Sequence, residues 1–485
     1  MLRAVNREAS GSLEMASLWG ETWLLALDWA IRLVALLWIP ARATPGAARS
    51  WLLLIGFVPL VGLPLYLAFG YPWLSRLRIR RQTLASQFIR EQQRALHTLR
   101  WVPENDSIAI IISRLIEQQG DFMPVQGSGV QLIDVYQQSL DLLVADIDTA
   151  THRVHLLFYL MHDDAVGHAV VQALVRAAAR GVQCRLLLDA LGAKKGLKAF
   201  RSRLLASGVE VHALLPGGLR WQRSSRMDLR NHRKVAVIDN RVAYIGSQNL
   251  ASAAFLANYP NRELVARVTG PAVNHLQAVF ASDWYVETGQ QLAEGQNAPA
   301  CDQNVVTQLL PSGPAYPYKN AHDAVNMMIS LAKYSVVLAT PYFIPDDATL
   351  GTLRLAAMSG VDVQLILSEH NNQRLAAWAQ EAYFEELLRA GVKIALYQPH
   401  FLHAKHLNID NELILLGSMN LDMRSFSLNT EIGMLIYSRI VAKKMERVEA
   451  DYLQCARALS LSNWSQRPAW RRSREGIARL ADALL

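Results

Sequence analysis

Residues 231–249 read NHRKVAVIDNRVAYIGSQN, and residues 402–420 read LHAKHLNIDNELILLGSMN. His, Lys, Asp, Asn, Gly, Ser and a closing Asn stand at the same offsets in both stretches. The neighbouring chain is repeated too. Ahead of the first stretch come VHLLFYLM, the helical AVGHAVVQALVRAAARG, VQCRLLLDA, a second helical stretch and GVEVHALL. Ahead of the other come SVVLATPYFI, ATLGTLRLAAMSG, VDVQLILS, RLAAWAQEAYFEELLRAG and GVKIALY. Strands alternating with helices predict a duplicated α/β domain, with a mostly parallel sheet covered on both faces. Gly181, Gly208, Gly360 and Gly391 each stand where a helix must stop before a strand.

Read as a strand, His-x-Lys puts His232 beside Lys234 and His403 beside Lys405 on one face. Asp239 and Asp410 lie seven residues after their histidines, an odd offset, and each precedes an Asn. The two aspartates therefore read as turn formers that hold the strand. The Gly-Ser-x-Asn endings offer Ser247, Asn249, Ser418 and Asn420 as neutral hydrogen-bonding groups. Imidazole, ammonium, hydroxyl and amide together describe a pocket for a tetrahedral oxyanion. Two histidines suit displacement at a phosphodiester, one as nucleophile and the other as acid and then base. The lysines would stabilise phosphoryl charge, and the scheme calls for no metal and no cofactor. His400, His403 and His406 alternate faces on a strand and make no zinc site; His400 and His406 are expected to pack locally or touch substrate.

The copies differ in one place. Gly208 to His232 spans 24 residues and Gly391 to His403 only 12. The extra segment carries Arg220, Arg223, Arg226 and Arg230, a candidate wall for an anionic substrate or a solvated loop.

Of the 485 residues, 51% are hydrophobic, and the net charge is +8. Lysine is scarce, 10 of the 49 basic residues, so its recurrence in both motifs asks for an explanation. Three cysteines, Cys184, Cys301 and Cys455, fit neither a disulfide framework nor a zinc site. The apolar excess gathers at the start. Residues 17–39 and 51–70 are expected to form a two-helix transmembrane hairpin, kinked at Pro59 and Pro64, with Asp28 and Arg32 paired one turn apart. A cleaved signal peptide fits poorly, because the first run is interrupted by charge. Arg76, Arg78, Arg80 and Arg81 outnumber Arg42 and Arg49 of the inter-span loop, which predicts a cytoplasmic C-terminal part. The expected boundaries are 1–75 for the hairpin, 76–119 for a helical connector, and 120–300 and 301–485 for the two repeats.

The doubled His-x-Lys-x4-Asp-x6-Gly-Ser-x-Asn pattern resembles the phospholipase D superfamily, and within it the bacterial cardiolipin synthases. FLHAKHLNIDNELILLGSMNLDMRSFSLNTEIGMLIYS, RELVARVTGPAVNHLQAVFASDWYVETG and YLAFGYPWLSRLRIRR carry the likeness. The resemblance implies two phospholipase D-like α/β/α domains forming one active site. It also implies phosphatidyl transfer between two phosphatidylglycerols at the bacterial inner membrane, with a phosphohistidine intermediate. The implied catalytic set is His232, Lys234, Asp239, His403, Lys405 and Asp410, with His232 the nucleophile. Glu263 and Glu431 would orient the histidines. Phosphatidylglycerol and the bilayer are the implied partners, and nucleic acid is not. The alternatives are a phospholipase D-type hydrolase, a phosphatidylserine synthase-like transferase, or a catalytically silent nucleic-acid binder.

Overall fold

The computed structural model describes residues 22–479, except 24, 44, 71–72, 104–106, 218–224, 227, 255–258 and 294–297. Arg220 and Arg223 of the basic loop lie outside the described residues. The chain divides into two units, residues 1–73 and 74–485.

In the first unit a helix covers 25–38 (α1). Asp28 and Arg32 pair on it at 2.9 Å, as their spacing predicts. The second apolar run is not one helix. It forms α2 (Pro45–Phe57) and α3 (Pro59–Phe69), separated at Val58, whose φ of −138° leaves the helical region. Proline at 59 disfavours helical geometry in the residue before it. The Trp51 and Tyr66 rings meet edge-on at 5.5 Å. Along one straight helix those residues would stand about 22 Å apart, so the chain doubles back at Val58. Gly62 permits the close approach, since a Cβ there would lie 2.8 Å from Ile55 Cα. Arms of 13 and 11 residues reach about 20 and 16 Å, short of a ~30 Å hydrocarbon core. Among the described residues no helix is long and apolar enough to cross a membrane. The expected kink is thus a reversal, and the second run is not a single crossing.

The second unit opens with α4 (Arg76–Gln92), capped by Ser75, which accepts from the Arg78 amide. Arg78 is buried against Glu287 at 2.6 Å, and Arg81 donates to the Val286 carbonyl at 3.0 Å. Two of the four arginines at 76, 78, 80 and 81 therefore clamp α4 onto the longest helix of the first repeat, α5 (Pro271–Thr288).

The first repeat supplies β1 (Val125–Ile133), β2 (Arg153–Phe158), β3 (Gln183–Asp189), β4 (Glu210–Leu214), β5 (Lys234–Ile238), β6 (Val242–Gly246) and β7 (Val265–Thr269). The second supplies β8 (Val305–Ser312), β9 (Ser335–Thr340), β10 (Asp362–Ser368), β11 (Lys393–Tyr397), β12 (His406–Ile409), β13 (Leu413–Gly417) and β14 (Glu431–Tyr437). The spatial orders are β4-β3-β2-β5-β6-β7-β1 and β11-β10-β9-β12-β13-β14-β8, which is one topology used twice. The repeats join where β1 pairs antiparallel with β8, Val125 opposite Thr307. An edge strand, β15 (Ala456–Ala458), adds beyond β11. The sheet is mixed rather than mostly parallel. Only the pairs reached through a crossover helix, β2–β3–β4 and β9–β10–β11, are parallel. The motif hairpins and their neighbours pair antiparallel. Gly181, Gly208, Gly360 and Gly391 take φ of 85–95°, the left-handed geometry of a helix stop. Leu157, Leu187, Val235, Val237 and Ile245 pack with Phe280 and Trp284 of α5 in one core that runs on into Ile414, Leu416 and Met434 of the second repeat.

Candidate active site

The two histidines lie just ahead of their strands. Lys234 opens β5, and His232 sits before it; His403 and Lys405 precede β12. The backbone of each histidine is held by the opposite repeat. His232 N donates to Thr430 O at 2.8 Å, and His403 N donates to Arg262 O at 2.8 Å. Both acceptors are the residue before a glutamate, and those glutamates reach the imidazoles. His232 Nδ1 lies 3.0 Å from both Glu431 oxygens, and His403 Nδ1 lies 2.8 Å from both Glu263 oxygens. The orienting pairs are therefore crossed: each repeat's histidine depends on the other repeat's carboxylate. A carboxylate on Nδ1 holds the proton there and leaves Nε2 with its lone pair free.

Each carboxylate sits in a cage. Glu431, fully buried, accepts from Ser418 Oγ at 2.5 Å, Ser425 Oγ at 2.9 Å and Asn429 Nδ2 at 3.3 Å. Asn261 Nδ2 donates to Glu263 at 3.0 Å. His403, Lys405 and the Ser247 hydroxyl hold Glu263 as an anion, its pKa down at about 2 despite burial. Glu431 is lowered in the same way, against its burial, by His232, Lys234 and Ser418. Arg233 points to the other side of the strand. It donates through Nε to the Glu431 carbonyl at 3.0 Å and pairs with Asp283 of α5 at 2.7 Å. Asn231 joins the same Asp283 at 3.0 Å.

The lysines fold toward their own histidines. Lys234 Nζ donates to His232 O at 2.5 Å and Lys405 Nζ to His403 O at 2.6 Å. Burial pushes Lys234 down to about 7 and Lys405 to about 8, with Lys405 a further lowering charge on Lys234. Burial likewise lowers both histidines, His403 to about 4, against the pull of the glutamates. These shifts favour the uncharged forms of the cations, and a nearby anion would raise them again.

Two sets of expected contacts are placed differently. The Asp239 carboxylate accepts from the amides of Thr151, His152 and Arg153 at 2.8 Å each, and Asp410 accepts from Lys333, Tyr334 and Ser335 at 2.7–2.9 Å. Each stands about 16 Å along an extended strand from its lysine. Both occupy turns with positive φ at Asp and Asn, closed by Arg241 N to Ile238 O and Glu412 N to Ile409 O. These aspartates leave the catalytic set and serve as hairpin anchors, as their odd offset indicates. Ser247 and Ser418 were expected against substrate. Ser247 Oγ instead bridges the Leu264 backbone at 2.9 and 3.2 Å, and Ser418 spends its hydroxyl on Glu431. Asn249 and Asn420 are buried, each with an amide oxygen that lacks a protein partner. His406 is buried against Glu449 at 3.1 Å, a packing role.

Further residues border the centre. The Tyr159 ring stands edge-on to His232 at 4.9 Å and 5.4 Å from Lys234 Nζ. Phe401 lies 5.7 Å from the His403 ring. In the basic loop Arg226 pairs with Asp228, and the Arg230 guanidinium lies 4.0 Å from Asp189. The repeated Asn-x-Glu, residues 261–263 and 429–431, was a sequence signal for the cages. Ser425 and Tyr159 have no counterpart at matching positions and left none.

The family described as cardiolipin synthase, PLD-like domain, matches residues 143–284 and 325–451. The chain belongs to this family. Cardiolipin synthase A of Pectobacterium carotovorum subsp. carotovorum (strain PC1) is 34% identical over 93% of this chain and 94% of that protein. Cardiolipin synthase A of Yersinia pseudotuberculosis serotype IB (strain PB1/+) is 33% identical over 94% and 95%. A solved phosphatidylserine synthase from Haemophilus influenzae Rd KW20 shares the fold, with a TM-score of 0.59 at 13% identity, over 77% of this chain and all of that one.

Proposed function

We propose that this chain is a membrane-anchored cardiolipin synthase that transfers a phosphatidyl group from one phosphatidylglycerol to another and releases glycerol. The observation that carries the reading is the crossed pair His232–Glu431 and His403–Glu263, which makes a two-histidine centre from both repeats.

In the first step neutral His232 Nε2 attacks phosphorus, and the bond to the glycerol oxygen breaks. His403, protonated once the anionic lipid is bound, gives that oxygen its proton. The phosphohistidine is cationic, and Glu431 stabilises it. In the second step His403 takes a proton from a hydroxyl of the second phosphatidylglycerol. That oxygen attacks phosphorus in line, the P–N bond breaks, and cardiolipin leaves. Lys234 and Lys405 neutralise the non-bridging oxygens. Arg230 adds positive charge beside His232.

The anchor belongs to the same proposal. Leu33, Leu37, Leu53, Phe57, Leu60 and Leu67 are among many large apolar side chains that stand exposed in the first unit, while its buried core among the described residues is Ala35, Ile39, Ala48, Ile55 and Tyr66. Such a surface suits lipid rather than water. We place it in the bacterial inner membrane with the catalytic unit cytoplasmic. Insertion precedes folding, so Arg76–Arg81 count as charge even where folding later pairs them. Expression in cells that lack cardiolipin tests the reading. Cardiolipin should appear, and phosphatidic acid without cardiolipin would replace the transferase with a hydrolase.

A further inference from the structure

We propose that the face shared by α6 (Arg374–Arg389) and α7 (Ala469–Arg479) docks on the anionic bilayer surface beside the mouth of the site. This rests on the reading of the substrate as a bilayer phospholipid.

The two helices run antiparallel. Arg467 pairs with Glu385, Arg471 with Glu381, and Arg474 with both Glu381 and the Trp378 ring, so rising numbers on one helix meet falling numbers on the other. Arg474 lies between two indoles, 4.8 Å from Trp378 and 5.5 Å from Trp470. Trp470 and Ile477 are two turns apart on one side of α7, and Leu375 is one turn from Trp378 on α6. Their exposures are 65%, 70% and 41%, high for side chains of this size.

Charge selects the occupant. Over α6 and α7 together there are six arginines against four glutamates, a net charge of +2, and Glu475 is buried. Arg374 and Arg472 are exposed at the margins of the stripe. Tryptophan with arginine around an apolar stripe is the composition of a surface that lies in the headgroup layer, the rings at the interface and the guanidinium groups on lipid phosphates.

Position links this face to the chemistry. Just before α6, Asn372 Oδ1 accepts from the Tyr342 hydroxyl, and Gln373 Nε2 lies 3.4 Å from it. Tyr342 is 6.0 Å from Phe401, which is 5.7 Å from His403. The N-terminal end of α6, next to Leu375, is therefore linked through Tyr342 and Phe401 to His403. Docking there would shorten the path of a headgroup from bilayer to centre.

The test uses the full-length chain reconstituted in phosphatidylcholine vesicles, as wild type and as the variant Leu375→Ser, Trp470→Ser, Ile477→Ser. One arm supplies phosphatidylglycerol in the same bilayer, the other soluble dihexanoyl-phosphatidylglycerol. The variant should lose about tenfold or more on bilayer substrate and keep its rate on the soluble one. Equal rates on bilayer substrate, or equal losses in both arms, overturn the docking proposal. Dimerisation of the wild type that the variant lacks would assign the face to a second copy and also overturn it. A wild type inactive in both arms refutes the synthase reading instead.

Discussion

Glu431→Gln probes the crossed arrangement with little change of shape. Glutamine keeps the volume, but the negative charge beside His232 is lost. When Nε2 bonds to phosphorus, the ring gains a full positive charge. The carboxylate oxygens lie 3.0 Å from Nδ1, which puts the charge centres about 5 Å apart. At an effective dielectric of about 20, that pair is worth about 3 kcal/mol. The loss corresponds to roughly a two-hundred-fold slower formation of the phosphohistidine. Quench-flow with radiolabelled phosphatidylglycerol, followed by alkaline denaturation to preserve the acid-labile P–N bond, measures that step. Melting temperatures of both proteins separate chemistry from folding. An adduct that forms within about twofold of the wild-type rate would refute the role of Glu431 and the crossing with it. An adduct mapped to His403 would keep the crossing and reverse the roles of the histidines.

Other consequences can be checked alongside. Glu263→Gln should lengthen the lifetime of the phosphohistidine, because His403 then takes the acceptor's proton poorly; chase with unlabelled phosphatidylglycerol reads this out. The ammonium forms of Lys234 and Lys405 bind the incoming anion, and their pKa values lie at about 7 and about 8. kcat/KM should therefore fall as pH rises through 7 to 8, whereas unperturbed lysines would carry activity to about pH 10; a flat profile to pH 9 contradicts it. Asp239→Asn should cost about 1–3 kcal/mol of stability through the lost charge on three backbone amides, with activity falling only as the protein unfolds. The Asp239 pKa is lowered by those amides, so its contribution is present above the unfolded value and is lost as pH falls through the folded one; a stable but inactive variant would return Asp239 to the catalytic set. Gly62→Leu should force α2 and α3 apart, because even a Cβ there meets Ile55. Crosslinking between cysteines at Trp51 and Tyr66 should then disappear, and persistent crosslinking contradicts the reversal at Val58.

The repeat and its chemistry were legible because they depend on local order. Strand and helix alternation, the glycine stops and the odd offset of Asp239 are properties of short stretches. What sequence could not supply depends on the meeting of distant segments. The crossed glutamates need the two repeats to face each other, and no periodicity within one repeat shows that. Ser418 lost its expected substrate role because Glu431, 13 residues on, returns beside it in β14. The parallel sheet was over-read because strand–helix alternation reports only the crossover strands, not the antiparallel motif hairpins. The second apolar run looked like one span because hydropathy counts length without direction. Pro59 marked the break, and the Trp51–Tyr66 and Gly62–Ile55 contacts show that the chain turns back there.

The most direct test of the central claim is product stoichiometry. The purified full-length chain, given phosphatidylglycerol as its sole lipid substrate, should yield cardiolipin and glycerol one to one, with both lost in His232→Ala. Phosphatidic acid and glycerol in place of cardiolipin, or cardiolipin formation that survives His232→Ala, would contradict it.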